Sequence, residues 1–200
     1  MISLVAFDMG GVLLFADEQI AITELARLSG RSEAQVFEAC FSPRRKRPHE
    51  TGQQGWPEFA QTAMTDLGLD IPEEQFKEIF CSILVPNPPM FDLIDRVSKK
   101  HRIALLSNTS PAHWERSREL MPFVDAFDPL IVSFEVGQLK PGRAIFDTLS
   151  RTSGVPHEQI FFTDDYLENV EAARAAGLQA VRFTGVEQLL ADFERFGIEI

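Results

Sequence analysis

The stretch Ser3-Leu4-Val5-Ala6-Phe7-Asp8-Met9-Gly10-Gly11 decides the fold of this chain. A continuous apolar run that stops at an acidic residue and two glycines is typical of a buried parallel strand ending in a tight loop. Further candidate strands of the same character follow along the chain: Ile103 to Leu106, Leu130 to Ser133, Gln159 to Thr163 and Ala180 to Phe183.

Helical patterns separate these candidate strands. Because strands that alternate with helices form parallel sheets with helices on both faces, the pattern predicts an α/β fold with a Rossmann-like open parallel sheet. The predicted helices are Met90 to Lys100, Pro111 to Leu120, Arg143 to Ser153, Leu167 to Ala176 and Val186 to Phe196.

Residues 16 to 87 break this alternation, because they show several helical patterns and no convincing strand. Pro86-Asn87-Pro88-Pro89 has the composition of a stiff linker at the end of the stretch. We therefore expect a Rossmann-like catalytic core of residues 1–15 and 88–200, with residues 16–87 forming a helical cap domain inserted after the first strand.

Composition narrows the partners. The chain has 200 residues, and its 19 basic and 30 acidic side chains give a net charge of −11, so it is a poor general binder of nucleic acid or anionic membrane. The start has no signal-peptide pattern and no apolar run approaches about 18 residues. Cys40 and Cys81 lie in apolar contexts that favour buried, reduced thiols. We expect a cytoplasmic protein without nucleic-acid or membrane partners, as a monomer or homodimer.

Polar residues follow the predicted strands where ligands bind in such sheets, beyond the carboxyl ends of the strands. Asp8 ends the first strand, Ser107-Asn108-Thr109 ends the second, and Asp164-Asp165 ends a later one. Lys140 lies in the loop after the candidate strand Leu130 to Ser133. Each alone has a simpler interpretation, as a helix cap or a solvated lysine. Together, and in this order, they indicate a shared site.

The chemistry of that set favours phosphoryl transfer. Carboxylates placed close together repel unless a cation lies among them, and all-oxygen ligands suit Mg²⁺. A carboxylate such as Asp8 can attack phosphorus, and the Lys140 ammonium offers charge to phosphate oxygens. Ser107 and a helix N-terminus can bind an anion, and Gly10 and Gly11 permit close approach of backbone N–H groups to a phosphate.

These residues resemble the motifs of the haloacid dehalogenase-like hydrolase superfamily, which consists mostly of phosphatases. The resemblance covers Ile2 to about Phe183. The residues of its motifs are closest to those of a capped branch that includes sugar-phosphate phosphatases and the phosphatase domain fused to epoxide hydrolases. The four motifs are VAFDMGGVL at 5–13, LLSNTS at 105–110, LKP at 139–141 and FFTDDYLENVEAARAAG at 161–177.

The resemblance implies a Mg²⁺-dependent phosphatase that hydrolyses a small phosphorylated metabolite, such as a sugar phosphate, through an aspartyl-phosphate on Asp8. It implies that Asn169 holds the loop of the fourth motif together. It also implies catalytic roles for Asp8, Lys140 and Ser107, substrate contacts from Met9, Gly10, Ser107, Asn108 and Lys140, and Mg²⁺ ligands from Asp8, the Gly10 carbonyl, Asp164 and Asp165.

One position departs from the family pattern. Many family phosphatases carry a second Asp, a general acid and base, where this chain has Gly10. Three explanations stay open: an acid from the cap (His49, Glu50 or Asp17), a substrate with an acidic leaving group, or weakened catalysis. The last would make the chain a phospho-ligand-binding protein. Metal-independent 2-haloacid dehalogenation is disfavoured because Asp164-Asp165 would repel an anionic haloacid.

The predicted cap holds one dense basic run, Arg44-Arg45-Lys46-Arg47. It is interpreted either as a solvated flexible loop or as a set of contacts to an anionic substrate. Trp56 has the position of a packing anchor more than of a sugar-stacking residue. His113, one turn beyond Ser107, is a more distant candidate for the site.

Overall fold

The computed structural model describes residues 1–200 and confirms the predicted sheet. Five parallel strands lie in the order β5-β4-β1-β6-β7, which places β1 at the centre. Two further strands, β2 and β3, pair antiparallel. The strands are β1 (Leu4–Phe7), β2 (Leu14–Ala16), β3 (Leu84–Pro86), β4 (Ile103–Ser107), β5 (Phe127–Val132), β6 (Ile160–Asp164) and β7 (Gln179–Arg182).

Helices flank this sheet and fill the stretch between β2 and β3. A π-helical turn at Phe37–Phe41 and 3-10 turns at Val124–Ala126 and His157–Gln159 complete the elements. The α-helices are α1 (Glu18–Ser29), α2 (Glu33–Val36), α3 (Pro43–Glu50), α4 (Trp56–Leu67), α5 (Glu73–Cys81), α6 (Pro88–Ser98), α7 (Pro111–Leu120), α8 (Ser133–Val136), α9 (Arg143–Ser153), α10 (Leu167–Ala176) and α11 (Val186–Phe196).

The central strand is buried on both faces. Leu4 and Ala6 belong to one apolar cluster, and Val5 and Phe7 belong to a larger one, since successive side chains point to opposite faces of a sheet. The larger cluster continues into α4 and α5 through residues such as Phe80. Burial of a Leu or Phe side chain contributes about 1.5–3 kcal/mol, so these clusters stabilise the whole fold.

The prediction of no strand within residues 16–87 is wrong at one place. Leu84–Pro86 forms β3 and pairs with β2, with Phe15 opposite Val85. Three residues ending in proline are too short to show a period-2 pattern, and only the pairing with β2 makes them a strand. The presumed exit linker is also structured, because Pro88 and Pro89 occupy the first turn of α6, where a missing N–H costs nothing.

Residues 16–87, called the helical insertion below, carry α1 to α5 between β2 and β3. That these residues form a separate cap domain stays a prediction. Their apolar side chains belong to the same cluster as the side chains on one face of the sheet. The basic run is helical and not a flexible loop: it forms α3, which has Pro43 in its first turn. Arg45 in this helix forms an ion pair with Asp66.

Several smaller predictions are settled by the same packing. Strand β5 extends further back than predicted and ends before Ser133, because Ser133 begins α8. Cys40 and Cys81 are buried free thiols, and burial raises the pKa of each to about 12. Trp56 packs among aromatic rings, as a packing anchor does, and its ring centroid lies 5.9 Å from that of Phe76. None of the helices combines the length and hydrophobicity that a membrane crossing requires.

Candidate active site

Three carboxylates converge at the carboxyl edge of the sheet. Asp8 directly follows β1, Asp164 is the last residue of β6, and Asp165 is the next residue along the chain. One oxygen from each lies within 4.8 Å of the others. Because β1 and β6 are neighbours in the sheet, with Phe7 paired to Thr163, the residues that follow them meet at one point. The predicted convergence of Asp8, Asp164 and Asp165 is observed.

Lys140 neutralises part of this charge from the side. Its Nζ lies 2.7 Å from Asp8 Oδ1 and 2.7 Å from Asp164 Oδ2, and the side chain is 1% exposed. Burial would lower the pKa of Lys140, but the two carboxylates outweigh burial and raise it. The ammonium therefore stays charged. Burial raises the pKa of Asp8 to about 8, with Lys140 opposing the shift and Asp164 adding to it.

The adjacent aspartates differ in their partners. Asp164 Oδ1 accepts from the Tyr166 N–H and Asn169 Nδ2, and its Oδ2 accepts from Lys140 and Asn169. Asp165 Oδ1 is buried without any hydrogen-bond partner. Burial and the Asp164 charge raise the pKa of Asp165. An unpaired buried carboxylate oxygen beside two other carboxylates fits a hard divalent cation, which takes oxygen ligands.

A side-chain clamp fixes the loop that carries Lys140. Asn108 Nδ2 donates to the Lys140 carbonyl at 2.8 Å, and the Lys140 N–H donates to Asn108 Oδ1 at 2.9 Å. Next to it, the buried Ser133 hydroxyl bonds both the N–H and the carbonyl of Thr109. This clamp was missed from the sequence. A sequence that places Asn108 and Lys140 in adjacent strand-end loops gives no sign of a reciprocal bond between them.

The remaining predicted residues lie near the cluster in different ways. Gly10 lines the cleft described below, and the Met9 N–H donates to Asp8 Oδ1 at 2.7 Å, so it orients the carboxylate. Ser107 ends β4 and is buried, while its neighbours Asn108 and Thr109 line the cleft.

Gly11 gives the cluster its space. The residue has φ 75, a left-handed conformation that favours glycine, and an added Cβ would lie 2.2 Å from Asp165 Oδ2. Any side chain at this position would therefore displace Asp165. The sequence pattern predicted close backbone approach at the two glycines, and the structure shows that at Gly11 the close neighbour is a carboxylate.

A cleft of about 370 Å³ opens over the cluster. The helical insertion closes one side of it with Glu18 of α1 and with Lys46 and Glu50 of α3. Lys46 Nζ bonds Glu18 Oε1 at 2.8 Å. Of the basic run, Lys46 is the member that lines the cleft, so the predicted substrate-facing role is geometrically open to Lys46 and not to Arg45.

The three candidate acids from the insertion differ in whether they line the cleft. Glu50 lines the cleft. His49 is buried against Phe59, with Nδ1 at 2.9 Å from the Gln54 carbonyl, and Asp17 caps α1 by accepting from the Gln19 N–H. Neither His49 nor Asp17 lines the cleft. His113 does line the cleft, so this residue, predicted as a more distant candidate, is a neighbour of the site.

The fold and the site define an α/β protein with a parallel five-stranded sheet and an acidic, lysine-bridged centre at the carboxyl edge of that sheet. Comparison with protein families agrees: the model of the haloacid dehalogenase-like hydrolases matches residues 2–177. The chain belongs to this family.

Individual relatives point to one class within the family. The chain is 27% identical over 186 residues to a D-ribitol-5-phosphate phosphatase of Bacteroides thetaiotaomicron, covering 90% of each protein. It is also 27% identical over 187 residues to a sesquiterpene phosphatase of Aspergillus oryzae, covering 89% of this chain and 88% of that one. Family and relatives together support its assignment as a phosphoric monoester hydrolase.

A solved structure shares the architecture. A haloacid dehalogenase family enzyme of Bacteroides thetaiotaomicron, in complex with magnesium and inorganic phosphate, superposes with a TM-score of 0.82. It is 24% identical and is matched over 91% of this chain and 94% of its own. The likeness establishes the sheet topology with its flanking helices.

Proposed function

We propose that this hydrolase is a Mg²⁺-dependent phosphatase that transfers the phosphoryl group of a small phosphorylated metabolite to Asp8. The observation that carries the proposal is the centre itself: three carboxylates within 4.8 Å, one of them with an unpaired buried oxygen, bridged by a buried lysine. Such a centre is costly to bury unless a cation offsets its excess negative charge.

The proposed roles follow from the partners of each group. Asp8 would hold a cation with one oxygen and attack phosphorus with the other, while Asp165 and the Gly10 carbonyl complete the cation's protein ligands. Asp164, whose oxygens are already occupied, would act through Lys140 and Asn169 or through water. Mg²⁺ would supply positive charge that draws the phosphate in and stabilises its equatorial oxygens.

The chain's own residues would then carry the reaction. Lys140, fixed by the Asn108 clamp, holds Asp8 at 2.7 Å and offers charge to the phosphate oxygens. The Ser107 hydroxyl and the backbone of Asn108, at the end of β4, would bind the phosphoryl group. A second step, attack of water on the aspartyl-phosphate, would release phosphate and restore Asp8.

The cleft favours a hydroxyl-bearing substrate. Its insertion side presents Glu18 and Lys46, groups that hydrogen-bond hydroxyls, and its volume of about 370 Å³ suits a small metabolite. We therefore propose a polyol or sugar phosphate, the substrate class named for the D-ribitol-5-phosphate phosphatase, over a terpenoid phosphate.

The test is phosphate release from p-nitrophenyl phosphate, ribitol 5-phosphate and a sugar 1-phosphate, each with Mg²⁺ and with EDTA. Turnover that requires Mg²⁺ supports the proposal, and Asp8→Asn should abolish it. The Asp8→Asn protein must keep the wild-type circular dichroism spectrum, so that loss of activity reports chemistry. Mg²⁺-dependent turnover by that variant, or equal turnover in EDTA, would contradict the nucleophile or the metal.

A further inference from the structure

Hydrolysis of a sugar or polyol phosphate needs a proton at the leaving oxygen. The bond from phosphorus breaks toward an alkoxide, which is strongly basic, and a positioned acid typically accelerates such a step by about 10²–10⁴-fold. No acid stands beside Asp8 in the loop itself: Gly10 has no side chain, and the oxygens of Asp164 are occupied by Lys140, Asn169 and the Tyr166 N–H. The donor must therefore come from the opposite wall of the cleft.

Most titratable groups on the opposite wall are unsuited to donate a proton to the leaving oxygen. Glu18 is held by the Lys46 ammonium at 2.8 Å. His113 lies with Nε2 at 3.1 Å from the Phe80 carbonyl, which requires the proton on that nitrogen, and burial lowers its pKa to about 4. The neutral ring therefore has no proton on Nδ1 to give. Tyr166 is 67% exposed, where water competes for its hydroxyl.

Glu50, in contrast, lines the cleft and has no hydrogen-bond or ion-pair partner. It is the last residue of α3, four residues after Lys46, so one face of the helix presents both side chains to the cleft. Its carboxyl group forms no hydrogen bond or ion pair with the chain, although Lys46 lies nearby and is engaged by Glu18. It is thus partly buried, unpartnered and part of the lining of the same cleft as Asp8.

The surroundings of Glu50 raise its pKa and make it a weaker acid than a free glutamate. Burial raises its pKa, Glu18 adds to the rise, and Lys46 and Lys140 oppose it. The negative end of the α3 dipole also disfavours a carboxylate at the last helical position. The other charged or titratable groups that line the cleft are Asp8, His113, Asp165, Tyr166 and Glu168.

We propose that Glu50 is the proton donor to the leaving oxygen and the base for the attacking water, in the place that Gly10 leaves without a side chain. This inference rests on the proposed phosphatase function. The helical insertion would thereby supply half of the acid–base chemistry as well as a wall of the cleft.

The two steps balance as follows. Asp8 Oδ forms a bond to phosphorus while the bond from phosphorus to the ester oxygen breaks, and that oxygen takes the proton of the Glu50 carboxyl to leave as an alcohol. The Glu50 carboxylate then removes a proton from water, whose oxygen bonds to phosphorus while the bond to Asp8 breaks. Phosphate leaves, and Glu50 is protonated again.

The test compares leaving groups in Glu50→Gln, which keeps the size of the side chain and removes its acidity. For ribitol 5-phosphate, kcat/KM should fall about 10²-fold or more. For p-nitrophenyl phosphate, whose leaving group needs no proton, kcat/KM should stay within about threefold of wild type. Pre-steady-state mixing should show a burst of about one nitrophenolate per enzyme, because water attack has lost its base.

The pH profile gives a second readout. In wild type, kcat/KM for ribitol 5-phosphate should fall at high pH as Glu50 loses its proton, and this limb should be absent for p-nitrophenyl phosphate. Glu58→Gln, on the exposed side of α4 in the same insertion, is the matched control and should behave as wild type.

The outcomes separate the two proposals. Equal losses of kcat/KM for both substrates in Glu50→Gln, or no loss for ribitol 5-phosphate, would overturn the role of Glu50 while the phosphatase proposal stands. Wild-type protein without Mg²⁺-dependent turnover of any phosphate ester would overturn the phosphatase proposal itself. Thermal unfolding of Glu50→Gln within about 2 °C of wild type would show that the comparison is not affected by misfolding.

Discussion

Replacement of Asp165 by asparagine should raise the stability of the metal-free protein and remove the stabilisation that Mg²⁺ gives to wild type. Without metal, Asp165 lies among three carboxylates whose ligand atoms are within 4.8 Å of one another. Two unit charges at that separation repel by about 3 kcal/mol at an effective dielectric constant of about 20. Lys140 offsets part of this repulsion, so Asp165→Asn should stabilise the metal-free protein by about 1–3 kcal/mol. That gain corresponds to a rise in Tm of about 3–9 °C.

Mg²⁺ should stabilise wild type and leave the variant unchanged. Mg²⁺ at a hundredfold excess over its Kd stabilises a protein that binds it by about 2.7 kcal/mol, which raises the Tm of wild type by about 8 °C. Asp165→Asn lacks the carboxylate whose oxygen is unpaired, and its Tm should change by less than about 1 °C on addition of Mg²⁺. The assay is calorimetric unfolding of both proteins in EDTA and across a Mg²⁺ titration.

Asp164→Asn is the internal control for this reasoning. Asp164 accepts hydrogen bonds from Lys140, Asn169 and the Tyr166 N–H, so its loss should destabilise the protein by about 1–3 kcal/mol even in EDTA. If instead Asp165→Asn lowers the Tm in EDTA and keeps the wild-type response to Mg²⁺, then Asp165 is a structural residue and the unpaired oxygen has no ligand role.

Further predictions concern the groups around the centre. Gly11→Ala should abolish the calorimetric response to Mg²⁺, because the new Cβ would overlap Asp165 and left-handed backbone costs about 1–2 kcal/mol; an unchanged Kd for Mg²⁺ would refute this. Asn108→Ala should lower the free energy of unfolding by about 1–3 kcal/mol in urea titrations, because two backbone groups of Lys140 lose their partner; a loss near zero would show that water replaces the amide. His113, whose pKa falls from 6.5 to about 4, should make wild type lose up to about 3 kcal/mol between pH 6.5 and 4, since the unfolded ring takes up a proton that the folded ring refuses. Urea titrations of His113→Gln across that range should lack this part of the slope, and an identical slope would contradict the assignment.

Local sequence was sufficient for the sheet. Apolar runs followed by acidic or hydroxyl residues predict β1, β4 and β6, because strands buried on both faces are continuous in hydrophobicity. The positions of Asp8, Asp164 and Asp165 at strand ends follow from the same pattern, since each ends a run. Even the tying role of Asn169 was implied by the motif, and the structure shows its amide on both oxygens of Asp164.

Sequence was not sufficient where short segments depend on distant partners. Strand β3 has no pattern of its own and exists because β2 lies beside it. The basic run was open to two interpretations, a flexible loop or substrate contacts. Charge density carries no information about which helical face is turned inward, and the structure turns Lys46 toward the cleft while Arg45 pairs with Asp66.

By itself the sequence determined the fold class, the order of the strand-end residues and the acidic, lysine-containing composition of the centre, because these follow from hydrophobic periodicity and residue chemistry along the chain. The tertiary structure decided which carboxylate oxygens are already occupied, that Asn108 clamps the Lys140 loop, and that Glu50 faces the cleft while His49 and Asp17 do not. These are properties of side chains from distant segments brought within hydrogen-bond distance, and packing alone sets such distances.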